Sequence, residues 1–138
     1  MDNELVKKIP GAAAFRDWYG WFPGFHDVRA TMISRPDGSF AITLKTLQLA
    51  DIAKLDGSLK MGKQFRVDLS VSGIIDTSFP SASPFDVTLD GASFVEHEEG
   101  IWMEFDDGGD FWCFILAQNV ELAFEPVDCE DGARDEPR

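Results

Sequence analysis

From Val28 onward the apolar residues of this chain fall at every second position, in short runs broken by Gly, Pro and Asp. Phe65, Val67, Leu69 and Val71 alternate with Arg66, Asp68, Ser70 and Ser72, which is the period of a strand with one buried face and excludes a helix there. Val28, Ala30 and Met32 share that pattern with Phe40, Ile42 and Leu44 across the turn-forming Arg35-Pro-Asp-Gly38, so the two runs form a hairpin. Further strands are expected at Phe85 to Asp90, Ala92 to Glu98, Ile101 to Asp106, Phe111 to Gln118 and Asn119 to Glu125. Between them, Asp90-Gly91, Glu99-Gly100 and the Asp106 to Asp110 run have hairpin-turn chemistry. Phe111 to Ala117 is apolar on both faces, which places that strand inside the sheet rather than at an edge. Residues 74 to 84, with Pro80, Pro84 and three Ser, are expected as a loop, and residues 48 to 63 stay open between helix and loop.

Before Val28 the period is different. Gly11 to Gly20 holds three alanines, then Phe15, Trp18 and Tyr19 at spacings of three and four, which is a short helix with Gly20 as its stop. The fold expected is therefore α+β and mostly β: one antiparallel, meander-rich curved sheet with a short N-terminal helix packed on it. At 138 residues the chain suits a single core, assigned to residues 1–126, with an acidic, frayed tail at 127–138.

Charge divides the chain in two. Residues 1 to 66 hold ten Lys and Arg against seven Asp and Glu, whereas residues 67 to 133 hold sixteen acids and no Lys or Arg. A one-signed half repels nucleic acid and anionic membrane and attracts a basic partner. The two cysteines, Cys113 and Cys129, make neither a disulfide framework nor a zinc site, which fits a reducing cytoplasm. Charged residues interrupt the first twenty positions, so no signal-peptide core is expected, and the longest apolar run, Phe111 to Ala117, is too short to span a bilayer.

Two groups of residues invite a functional reading. Glu96, Glu98, Glu99, Glu104, Asp106, Asp107 and Asp110 crowd onto consecutive strands and turns together with Trp102. Carboxylates this dense repel one another unless a partner neutralises them, and an aromatic anchor within a polar rim is the anatomy of a protein interface. The second group is Trp21, Phe22, Phe25, His26 and Asp27, where aromatics adjoin an imidazole and a carboxylate. His26 there is either a general acid or base in a pocket or a structural group bonded to main chain, and in an extended chain His26 and Asp27 would point apart. No nucleophile elbow accompanies them. The Asp106 to Asp110 turn lacks the spacing of a calcium loop, and His97 lacks the second His of a zinc helix, so neither metal nor cofactor is expected.

The stretch Trp18-Tyr-Gly-Trp21-Phe-Pro-Gly-Phe25-His26-Asp27-Val28, running into an alternating strand, resembles the Trp-Pro-Ser-Phe-His-Asp segment of the immunity protein 50 family. Here Phe22 stands between Trp21 and Pro23, and Gly24 takes the place of the usual Ser. Members of that family are small, mostly β bacterial proteins encoded beside polymorphic toxins. The resemblance implies a protein without enzymatic activity that neutralises its toxin by binding it, and it supplies no catalytic residue. Together with the charge split it points to a basic protein partner, such as a toxin domain, met by the acidic C-terminal strands. The alternative is a small-molecule-binding or enzymatic domain with its pocket around Trp21 to Phe25 and His26.

Overall fold

The computed structural model describes residues 1–46, 63–78 and 85–127. Two short helices, α1 (Asn3–Lys8) and α2 (Ala12–Tyr19), precede seven strands: β1 (Val28–Ser34), β2 (Phe40–Thr46), β3 (Gln64–Thr77), β4 (Phe85–Thr88), β5 (Gly91–His97), β6 (Gly100–Asp106) and β7 (Trp112–Val127). All seven belong to one antiparallel, curled sheet in the order β4-β1-β2-β3-β7-β6-β5. The mostly-β class, the single curved antiparallel sheet and the N-terminal helix match the sequence reading. The strand β7 lies between β3 and β6, as its two apolar faces require.

Helix α1 was not legible in advance, although its parts are ordinary. The Asp2 side chain caps it by accepting from the Leu5 N–H at 2.9 Å, and Leu5, Val6 and Ile9 turn into the core. Helix α2 follows after one left-handed residue, Gly11, and buries Ala12 and Phe15. Both helices cover the apolar face of the sheet, hereafter the inner face, formed by Ala30 and Met32 of β1, Leu44 of β2, Val67 and Leu69 of β3, Met103 and Phe105 of β6 and Ile115 of β7. Phe15 sits at the centre, with ring centroids 5.1 Å from Phe65, 5.2 Å from Phe124 and 6.1 Å from Phe25. The aromatic segment after α2 is thus largely core: Phe25 is buried, Phe22 and Trp18 are half-buried, and Trp21 alone stands out into solvent.

Three expectations about the strands need correction. The runs 111–118 and 119–125 are one strand. Its inner-facing residues are Cys113, Ile115 and Ala117, then Val120 and Leu122, so the alternation resets at Gln118 without breaking the ladder. Its partner resets at the same level, from Val71 to Ile74, through Gly73 in the left-handed region at φ +66. Residues 74 to 77, expected as loop, accordingly continue β3, and the remaining 79–84 lie outside the described residues, as do 48–62 and the tail from 128. Lastly, Asp90-Gly91 does not turn a hairpin. Strand β4 pairs with β1 and β5 with β6, at opposite edges of the sheet, and only Leu89 and Asp90 lie between them in the chain.

That two-residue link forces the sheet to curl until its edges meet. Leu89 bonds to the β1 side, donating to Val28 O at 2.8 Å and accepting from the Asp27 N–H at 2.9 Å. Asp90 bonds to the other side, its N–H donating to Asp106 O at 2.8 Å, and Ala92 N donates to Gly24 O at 2.9 Å. Residues 24–27 and 89–92 therefore form the seam that joins the two edges.

Candidate functional site

The inner face is filled by core, and the sequence candidates fall chiefly on the seam, on the outer face and in its turns. At the seam, Phe25 and Asp27 both take left-handed conformations, φ 57 and 62, which cost side-chain-bearing residues of order 1–3 kcal/mol each. Burial of Phe25 against Phe15, Phe22, Phe65 and Phe94 offsets part of that cost. The turn leaves His26 exposed, with its Nδ1 2.8 Å from the carbonyl oxygen of Asp90. A carbonyl only accepts, so Nδ1 carries the proton. Contrary to the expectation for an extended chain, His26 and Asp27 do meet: Nε2 lies 3.4 Å from Asp27 Oδ2, because Asp27 is not extended. Asp90 Oδ1 lies 3.5 Å from Nδ1. The hydrogen bond to the Asp90 carbonyl holds the imidazole pKa above its ordinary value; burial opposes it, and the charges of Asp27 and Asp90 add to the rise. His26 also borders an open cleft of about 210 Å³ whose walls include Tyr19, Trp21, Phe25, Thr46 and Phe65.

The acidic residues do not form one cluster. Alternation from Ala92 and Phe94 puts Glu96 on the inner-face side of β5, where it pairs with Lys8 of α1. Glu98 and Glu99 occupy the two-residue turn before β6, and the Glu99 N–H donates to His97 Nδ1. Asp106 and Asp107 organise the next turn: Asp106 accepts from Gly108 N, and Asp107 accepts from Gly109 N and Phe111 N, while Asp110 is exposed in that turn. Those contacts are ordinary turn chemistry. Among the described residues no three His, Cys, Asp or Glu side chains converge as a metal site requires.

What the outer face of β5, β6 and β7 does assemble is an aromatic surface around Glu104. Trp102 and Phe114 stack in parallel, with centroids 4.3 Å apart and planes at 6°. His97 lies against Trp102 at 6.1 Å, and Trp112 flanks Phe114 at 5.8 Å. The register explains the grouping: Trp102 stands opposite Leu116, Glu104 opposite Phe114 and Asp106 opposite Trp112, so Trp102 reaches Phe114 diagonally across the strands, while Trp112 and Phe114 are neighbours along β7. Glu104 accepts two indole N–H groups, from Trp102 at 2.7 Å and from Trp112 at 3.3 Å. Trp112 is 49% exposed and Val95 53% exposed on the same face, while Trp102, Phe114 and Glu104 are half-buried.

Trp102, Glu104 and Asp106 were named from sequence and do share a face. Trp112, Phe114 and His97 were missed. Their signal was present, since Trp112, Phe114 and Leu116 alternate, but the strand's second apolar face concealed which of its two sets faces solvent. No family model, characterised protein or solved structure matches this chain. No helix among the described residues is long and apolar enough to cross a membrane.

Proposed function

We propose that this chain is a non-catalytic binding protein of immunity type, which neutralises a basic toxin by covering it with the outer face of β5, β6 and β7. The observation that carries this reading is the combination on that face of exposed apolar side chains, Trp112 and Val95, with carboxylates and no positive charge. Large exposed aromatics ringed by polar groups are how interfaces present their anchors, and a one-signed rim speeds encounter with a partner of opposite sign. The resemblance of Trp18 to Val28 to the immunity protein 50 family agrees with it.

Co-expression with the product of the adjoining gene tests the proposal. A rescued host and an isolable complex are expected, with association that slows as salt rises. Charge reversal at Glu98, Glu104 and Asp107 is expected to slow association by about tenfold or more at low salt. Reversal of Glu98 alone, whose side chain makes no turn contact among the described residues, is expected to give part of that effect in a chain of unchanged melting temperature. Absence of both rescue and complex overturns the reading.

A second reading, a small-molecule site at the His26 cleft, is favoured by the two left-handed residues that hold His26 against Asp27 beside a cavity. Screening for ligands that shift the His26 ring signals tests it, and no shift across a broad set of small acids and heterocycles overturns it.

A further inference from the structure

The aromatic surface contains a carboxylate, Glu104, whose charge no described side chain balances. Asp86 is met by Arg29, Asp68 by Arg66, Glu4 by Lys7 and Glu96 by Lys8. Among the described residues no Lys, Arg or His forms an ion pair with Glu104, and β5, β6 and β7 contain no Lys or Arg that could. Its two oxygens each accept one indole N–H, which holds the carboxylate between Trp102 and Trp112. Each carboxylate oxygen has two acceptor positions, so one on each remains for a donor from outside.

Resting on the binding reading above, we propose that this surface is a receptor for one arginine side chain of the partner. The guanidinium lies against the exposed face of Trp112 and donates to Glu104. Arginine fits for reasons that separate it from other occupants. Its planar fork matches two acceptor positions on one carboxylate, and it stacks on an indole, whereas a lysine ammonium is a point charge that holds its water more tightly. A neutral sugar would stack on Trp112 but leave the charge of Glu104 unbalanced, and a phosphate would be repelled. The indoles serve two ends: their N–H groups hold the carboxylate in place before the partner arrives, and the ring of Trp112 supplies the apolar floor. Glu104 so held needs little reordering on binding, which is the condition for a strong contact at an interface.

The probes are capped hexa-arginine and hexa-lysine peptides of equal charge, titrated at low salt into the full chain labelled with ¹⁵N. The four tryptophans give separate indole N–H signals, which Trp102→Phe and Trp112→Phe assign. The signals of Trp102 and Trp112 are expected to move on titration, and hexa-arginine to bind about fivefold more tightly than hexa-lysine. Glu104→Gln, which keeps an acceptor for an indole, is expected to abolish that preference while the remaining spectrum stays that of the folded chain. Trp112→Ala, at an exposed position, is expected to do the same. Equal binding of the two peptides, binding without movement of those two indole signals, or no binding of either overturns the arginine receptor. None of these outcomes touches the co-expression test, so a toxin complex that forms normally with the Glu104→Gln and Trp112→Ala variants would leave the binding reading standing and remove only the receptor.

Discussion

His26 and Asp90, sixty-four positions apart in the chain, are joined across the seam of the curled sheet by a 2.8 Å hydrogen bond from the imidazole Nδ1 to the Asp90 carbonyl. Asp90 belongs to the two-residue link between the edge strands, so this bond ties the segment leading into β1 to the place where the sheet closes on itself.

The first prediction concerns that imidazole. Its native pKa is raised, chiefly by the bond to the Asp90 carbonyl and then by the charges of Asp27 and Asp90, so the folded state holds a proton that the unfolded chain releases near the ordinary value of about 6.5. The stability it contributes is full below that ordinary value and is lost as pH rises through the native pKa. His26→Gln is therefore expected to lower stability more at pH 6 than at about pH 8, by a modest margin because the ring is exposed. Ring-proton titration should give a midpoint above about 6.5 that falls in Asp27→Asn; a midpoint at or below that value contradicts the assignment.

Gly11 and Gly73 are expected to differ when each is changed to Ala. Both have positive φ, +92 and +66. A Cβ on Gly11 would lie 1.7 Å from the backbone oxygen of Leu122, beside the bond in which Leu122 N donates to Pro10 O. A Cβ on Gly73 would meet Gln118 Oε1 and Asn119 Nδ2 at 3.1 and 3.2 Å, which can rotate away, and Gln118 Cβ at 3.0 Å, which a shift of a few tenths of an ångström relieves. Gly73→Ala should cost about 1–2 kcal/mol, mostly backbone strain, and Gly11→Ala several kcal/mol because the joint between the helices and β7 has to move. Denaturant melts of the two variants decide it, and equal losses would show that the approach of Gly11 to Leu122 is relieved elsewhere.

The contrast between these glycines also shows what the sequence could disclose. Alternation located every strand, because a buried face and a solvated face leave a period-two record wherever the backbone is regular. At Gly73 and Gln118 both paired strands reset, and a reset looks like an end from one strand alone, which is why β7 reads as two strands and the end of β3 as loop. Asp90-Gly91 has the local chemistry of a hairpin turn, yet pairing is a property of distant strands, and no local signal shows that β4 belongs beside β1. The outer-face site was half legible for the same reason. Trp102, Glu104 and Asp106 share a face by spacing within one strand, whereas Trp112 and Phe114 join them only through the diagonal contacts that the β6 and β7 register creates. Glu96 could have been separated from that group, since the period running through Ala92 and Phe94 already assigns it to the inner side.

Cys113 lies on the inner face of β7, fully buried, and burial pushes its thiol pKa up to about 12. At neutral pH it is a small apolar side chain, without the thiolate that attacks disulfides or metals. In a Cys129→Ser background the native chain should leave an aromatic disulfide reagent unreacted at pH 8, and one thiol should react on addition of guanidinium. Rapid stoichiometric reaction of the native chain would show that the β6 and β7 pair opens far more often than its burial implies.

The aromatic segment after α2 supplies the last prediction, because two of its neighbours in sequence have opposite fates. Phe15 is wholly buried and touches six other aromatic rings from α2, the seam, β3 and β7. Trp21 is 63% exposed and lies tilted beside Tyr19, at 6.1 Å and 39°. Phe15→Ala opens a cavity that the curled sheet cannot close by collapse, since the ring sits between helices and strands fixed by their own ladders, and should cost about 3–5 kcal/mol. Trp21→Ala removes a side chain that water already surrounds and should change stability by no more than about 0.5 kcal/mol. The same pair separates core from site: if Trp21 serves a ligand in the His26 cleft, its removal leaves the denaturant midpoint unchanged but abolishes ligand-induced shifts of the His26 ring. A large loss of stability in Trp21→Ala would instead make the whole Trp18 to Phe25 segment structural.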